Sequence, residues 1–212
     1  MNTILIAIIV ANVLFSYKGF NDTAFFRKYE FHMGSVRSGD QIRILSSGFL
    51  HADFSHLIFN MITLYFFAPV VIGYLGSLSF LIIYFGSLIF GSLLTIIFHK
   101  NDYNYRAIGA SGAVTGVLYA AILLQPDMML GIFFVIPMPA YIFGILYLLY
   151  SIYGMRAKND NIGHTAHFGG AIGGYLITLA TSPHLIVENT LMVVLLTIPI
   201  VVLFIMAKMG KI

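Results

Sequence analysis

Apolar residues along this chain neither alternate nor keep to one helical stripe; they run in long blocks separated by short polar breaks. Blocks of about 20 residues are what a helix needs to cross ~30 Å of hydrocarbon, where every backbone N–H and C=O must be satisfied within the protein. The pattern predicts seven helices. The first covers Asn2 to Tyr17 and lacks the basic start and small-residue cleavage site of a signal peptide, so it is read as retained. A polar loop from Lys18 to about Gly48 follows, long enough to suspect a role of its own, with Arg27, Lys28, Glu30, Arg37, Asp40 and Arg43 marking a membrane surface. Phe54 to Gly73 and Leu78 to Phe98 form the second and third spans, and the tight Gly-Tyr-Leu-Gly-Ser turn between them makes them antiparallel neighbours. After the polar stretch His99 to Arg106 comes a fourth span, Ser111 to Leu124, short for a full crossing and expected to begin below the membrane surface. Met128 to Tyr153 holds the fifth, with regular helix expected from near Pro139 and interfacial residues before it. Gly154 to Ile162 is polar, His164 to Thr181 is the sixth span, and Val187 to Ala207 is the seventh, ended by Lys208 and Lys211. The expected fold is therefore an all-α polytopic helical bundle.

Composition agrees with this pattern: 59% of residues are hydrophobic, 9% are charged and mean hydropathy is +0.93, against about 25% charged in soluble domains. The lipid bilayer is the expected partner. A net charge of +3 scattered over short connections argues against nucleic acid. With no cysteine there is no disulfide framework, thiolate metal site or cysteine nucleophile.

Polar residues at membrane depth are costly and point to function. Three groups stand out. His51, His56 and Asn60 lie in one stretch, and the four-residue step puts His56 and Asn60 on one helical face. Gly109-Ala110-Ser111-Gly112 opens the fourth span, with Gly116 one turn on. His164-Thr165-Ala166-His167 opens the sixth, followed by Gly170 and Gly174. Glycines 112 and 116, and 170 and 174, form small-residue faces that let helix backbones approach closely. Spans four and six also run the same way through the membrane, so Ser111 and His167 share a depth.

A serine becomes a nucleophile when a base lies within hydrogen-bond reach, and a neutral imidazole is the usual one. His167 fits that role. Oxyanion donors are available from the backbone N–H groups of a helix start and from His56 and Asn60. Asp160 is the one acid near the sixth span, in the preceding loop, so a dyad is expected in place of a triad.

The ordered set His51-x4-His56-x3-Asn60, Gly109-Ala110-Ser111-Gly112 and Ala166-His167-x2-Gly170-x3-Gly174 resembles the rhomboid family of intramembrane serine proteases. The resemblance implies a six-helix core over residues 1–182, with residues 183–212 an additional transmembrane helix and short basic tail. It implies Ser111 as nucleophile, His167 as general base and then acid, and His56, Asn60 and the Ser111 amide as oxyanion contacts. Gly109, Gly112, Gly116, Gly170 and Gly174 are close-packing support. No metal or cofactor is implied. The expected activity is endopeptidase cleavage of transmembrane helices of other membrane proteins. Two departures from the family pattern stand out: Ile42-Arg43 replaces a frequent Trp-Arg pair, and Thr115 stands where some members place an aromatic residue against the histidine.

Rival readings weigh each residue separately. A serine or histidine in a glycine-rich membrane helix is, alone, more often a packing residue, and His164 is read as structural. The tyrosine-rich stretch Tyr141 to Tyr153 reads most simply as a lipid-facing helix with an interfacial belt. His51, His56, His164 and His167 could bind a metal, but that reading leaves Gly-Ala-Ser-Gly unexplained. An inactive relative that binds membrane helices without cutting them would ordinarily have lost the serine or the histidine.

All eleven Lys and Arg fall on the side that holds the long first loop, which the positive-inside rule would make cytoplasmic. The resemblance points the other way, to a plasma (cell inner) membrane protein whose site opens to the extracytoplasmic side. Six carboxylates share that side, and the resemblance is followed.

Overall fold

The computed structural model describes residues 2–132, 136–157 and 159–212. Residues 133–135 of the expected fifth span, and residue 158 after it, lie outside the described residues. Helix α1 (Thr3–Asn21) starts where the Asn2 side chain accepts the Ile4 N–H at 2.9 Å and runs four residues beyond the predicted end at Tyr17. The first loop then folds into α2 (Thr23–Tyr29), the short strand β1 (Phe31–His32), α3 (Met33–Arg37), α4 (Arg43–Ser46) and a 3-10 turn over Ser47–Phe49.

Helix α5 (Phe54–Phe98) is 45 residues long, about 68 Å at ~1.5 Å per residue and far more than one crossing needs. It breaks at Gly76, whose φ of 79° is open to glycine and costly for other residues. Helix α1 serves as a ruler for the two arms. Ser77 bonds Asn2 at the bottom, Tyr84 bonds Asn12 higher up, and His51, just before α5, meets Ser16 near the top. The chain therefore reverses at Gly76, and the arms 54–75 and 77–98 are antiparallel as predicted.

Strand β2 (Arg106–Ala107) pairs antiparallel with β1, matching Phe31 with Ala107. Helix α6 (Ser111–Leu124) follows. Every residue of α6 after Ser111 is buried, as expected of a helix that is apolar all round and enclosed by others. Where interfacial residues were expected before the fifth span, β3 (Met129–Ile132) and β4 (Ile136–Pro139) make a hairpin. The Ala140 N–H still reaches Met128 O at 2.8 Å, while Pro137 and Pro139, two apart, put their missing N–H groups on the outer edge. Helix α7 (Ala140–Ala157), α8 (His164–Thr181), the turn α9 (Leu185–Glu188) and α10 (Thr190–Lys208) complete the chain.

By length and apolarity, α1, α5, α7 and α10 can each cross a membrane, α5 contributing two passes. Helix α6 is too short for that test, and α8 carries glycines and histidines that lower its hydropathy. These two helices pack with α5 as the centre of the bundle, α6 buried throughout after Ser111 and α8 buried over its first two-thirds apart from Ala166. The outer face of α10, with Leu191, Val194, Ile198 and Val201, is exposed, while Tyr175 on α8 ties its inner face through Thr197 at 2.7 Å. The chain is a polytopic helical membrane protein.

The charges of the first loop do not all mark a surface. Glu30 is 2% exposed and is bonded by Arg27 and Arg106. Arg43 is also buried, donating to Asp40 Oδ2 at 2.6 Å and to the carbonyls of Arg27 and Glu30. A buried guanidinium with three hydrogen bonds thus holds the loop together, whereas Ile42 beside it is exposed. Through β1–β2 this folded loop is fixed to residues 106–110, which lead directly into Ser111.

Candidate active site

Ser111 is the first residue of α6, and the strand-to-helix turn before it depends on Gly109, whose φ is +117°. A Cβ there would lie 2.8 Å from the His56 ring and 3.5 Å from Ser111 Oγ. The bare Cα therefore lets the His56 imidazole and the serine hydroxyl face one another across a narrow gap. The turn is pinned by Gly109 N–H to Ser47 O at 3.0 Å and by Ala110 N–H to His51 Nε2 at 3.4 Å.

His51 is fully buried and its Nδ1 lies 2.8 Å from Ser16 Oγ, which donates to Phe49 O. Because Nε2 accepts from Ala110, Nδ1 carries the hydrogen and donates to Ser16. Burial, with the neighbouring His56 second, pushes this imidazole down to about 3, so the neutral ring is the bridging form. His51 is therefore an internal strut between α1 and the serine turn.

His167 stands one turn into α8, its Nε2 2.6 Å from Ser111 Oγ. The contact requires α6 and α8 to be closer than side chains permit. A Cβ on Gly170 would fall 2.0 Å from Gly112 O, and one on Gly174 2.1 Å from Gly116 O. The same step from 112 to 116 on one helix and 170 to 174 on the other shows that the two run parallel, as the sequence suggested. Gly116 is also pressed against Ser87 of α5.

His56 and Asn60 share one face of the first arm of α5. Asp53 caps that helix by accepting the His56 N–H at 2.8 Å. Asn60 is buried, and its amide donates to His56 O at 2.9 Å, a local bond that leaves its second amide hydrogen for another acceptor. His164 does not join the pair. It is buried with Nε2 3.1 Å from both Asp160 oxygens, and its ring fills the space over Gly154. The Ile162 N–H first, then His164, hold the Asp160 carboxyl below the usual carboxylate range. Asp160 thus engages His164 and leaves His167 without an acid.

Tyr147, on α7, is the residue that sequence reasoning missed. Its hydroxyl lies 2.8 Å from His167 Nδ1, and the two rings stack at 22°. The stretch Tyr141 to Tyr153 is therefore not wholly lipid-facing. The available signal was the buried series Ala140, Gly144, Leu148 and Ser151, whose four- and three-residue steps carry Tyr147 inward. A cavity of about 30 Å³ opens beside Ser111, lined by small groups including Ser47, Ser92, Thr95, Gly109 and Ala166. That volume exceeds the ~10–15 Å³ a water centre requires.

Comparison with known proteins joins this geometry to a family. Residues 38–184 match the Rhomboid domain model. "RHOMBOID-like protein 12, mitochondrial" of Arabidopsis thaliana is 28% identical over 185 residues, covering 79% of this chain and 55% of that one. YdcA of Bacillus subtilis, which bears a rhomboid protease name, is 33% identical over 145 residues, 68% of each chain. "Rhomboid protease GluP" of the same organism is 30% identical over 68% of this chain and 27% of its own length. The chain thus spans about half of the Arabidopsis relative and about a quarter of the last. With the matched domain covering more than half of the residues, including Ser111, His167 and the glycine faces, the chain belongs to the rhomboid family.

Proposed function

We propose that the protein is an intramembrane serine endopeptidase working through a Ser111–His167 dyad. The observation that carries this reading is the 2.6 Å contact between Ser111 Oγ and His167 Nε2 at the half-buried start of α6. His167 Nε2 takes the hydroxyl proton as Oγ attacks the scissile carbonyl carbon. The developing oxyanion is held by the Ser111 N–H, which has no intrahelical acceptor because it opens a helix, and by donors from His56 and Asn60. Collapse expels the amine, which receives the proton from His167, and leaves an acyl ester on Ser111. Water then gives a proton to His167 as it attacks the ester, and the proton returns to Oγ when the acid departs. The cavity beside Ser111 has room for that water.

The substrates are transmembrane segments of other membrane proteins. A helical substrate must unwind before its carbonyl can reach Oγ, so Gly, Ala or Pro near the cut favours cleavage. The core of this machine is residues 1–182, and 183–212 adds a helix outside it.

The reading is tested by labelling the detergent-purified protein with a fluorophosphonate. Labelling is expected to disappear in Ser111→Ala and His167→Ala and to persist in His164→Ala; a labelled Ser111→Ala protein would refute the nucleophile. The site is proposed to open on the extracytoplasmic side, together with the first loop. As the sequence has no cysteine, Tyr103→Cys is expected to react with an impermeant maleimide on intact cells; reaction only after lysis contradicts an extracytoplasmic opening in the plasma membrane.

A further inference from the structure

Neither Ser111 nor the oxyanion donors explain what holds the His167 ring. An imidazole that receives a proton at Nε2 must carry its own hydrogen on Nδ1, and that hydrogen needs an acceptor fixed in the plane of the ring. In many sites a carboxylate supplies it, but Asp160 is engaged by His164, whose ring centroid is 6.3 Å from that of His167. Thr115, one turn beyond the serine, has no ring to stack. It donates instead to Ser111 O at 2.7 Å.

Tyr147 meets both requirements. Its oxygen is 2.8 Å from Nδ1, and its ring lies nearly parallel to the imidazole with centroids 5.8 Å apart. Since Nδ1 donates, the phenol accepts there and its own hydrogen is left for another partner. Nδ1–H of His167 thus donates to the Tyr147 oxygen, while Thr115 is occupied by its own bond to Ser111 O. The His167–Tyr147 bond ties α8 to α7 beside the nucleophile. Tyr150 and Tyr153, by contrast, are exposed on the lipid-side face of the same helix.

We propose that Tyr147 is a positioning residue for the general base, its phenol fixing the tautomer and plane of His167 in place of an acid. The proposal rests on the dyad reading. A neutral phenol contributes orientation without the charge of a carboxylate, so its loss should lower turnover and leave substrate binding alone.

The test is cleavage of a model transmembrane substrate by purified protein, with kcat and KM determined separately and melting followed in the same detergent. Tyr147→Phe retains the stacked ring and removes the oxygen. It is expected to lower kcat about tenfold, the effect of one buried hydrogen bond, with KM within about twofold and an unchanged melting temperature. Tyr147→Leu should lower kcat further. The ¹⁵N signals of His167 should report a protonated Nδ1 in the native protein and mixed tautomers in Tyr147→Phe. A Tyr147→Phe protein with native kcat and native ¹⁵N signals overturns the proposal, as does a loss of kcat matched by a loss of melting temperature. Should Tyr147→Phe fail to fold, the ¹⁵N signals of His167 in the native protein decide: a protonated Nδ1 supports the proposal and a protonated Nε2 overturns it. Cleavage persisting in Ser111→Ala would overturn the dyad itself, whereas cleavage abolished there and native in Tyr147→Phe removes only the role of Tyr147.

Discussion

The carbonyl oxygen of Gly116 lies 2.1 Å from the place a Cβ on Gly174 would occupy. The obstacle is backbone on a buried helix, so it cannot rotate aside as a flexible side chain would. Gly174→Ala is therefore expected to cost about 1–3 kcal/mol, the usual range for overpacking a close interface. It should also open the Ser111–His167 contact by separating α6 from α8. Gly73→Ala is the control: it lies in the first arm of α5 with nothing within 4 Å of the added carbon. Thermal melting in detergent should show a lower midpoint for Gly174→Ala and none of that loss for Gly73→Ala. Equal midpoints for both variants would remove close packing as the reason for these glycines.

The strut formed by His51 predicts a pH effect. Its pKa is about 3 in the fold against 6.5 for the free side chain, so between these values the unfolded chain binds more protons. The stabilisation is fully present above pH 6.5 and is lost as pH falls toward 3. The melting temperature should drop through this window more steeply in the native protein than in His51→Gln. At pH 7 the variant should be less stable by about 1–3 kcal/mol for the unsatisfied partners it leaves. Parallel curves for the two proteins would show that His51 bridges nothing of consequence.

Much of this was legible in the sequence because each signal was local. Long apolar blocks specify the spans, the four-residue glycine steps specify which helices touch, and the ordered polar trio places Ser111, His167, His56 and Asn60 at one depth. What escaped depends on contacts between distant segments. Glu30 and Arg43 look like surface charges until β1 pairs with β2 and encloses them. Tyr147 looks like one of several belt tyrosines because its inward direction is set by Gly144, whose bare Cα lies against Ile122 and Tyr119 of α6. His51 could not be given a role until α1 supplied Ser16.

The central claim is tested most directly by incubating the purified protein with a fluorescent transmembrane-helix substrate in liposomes, beside Ser111→Ala prepared identically. The native protein should release the product, and Ser111→Ala, with a native melting profile, should release none above background. Equal product from both proteins would contradict the account, because no other hydroxyl stands against His167 Nε2 among the described residues.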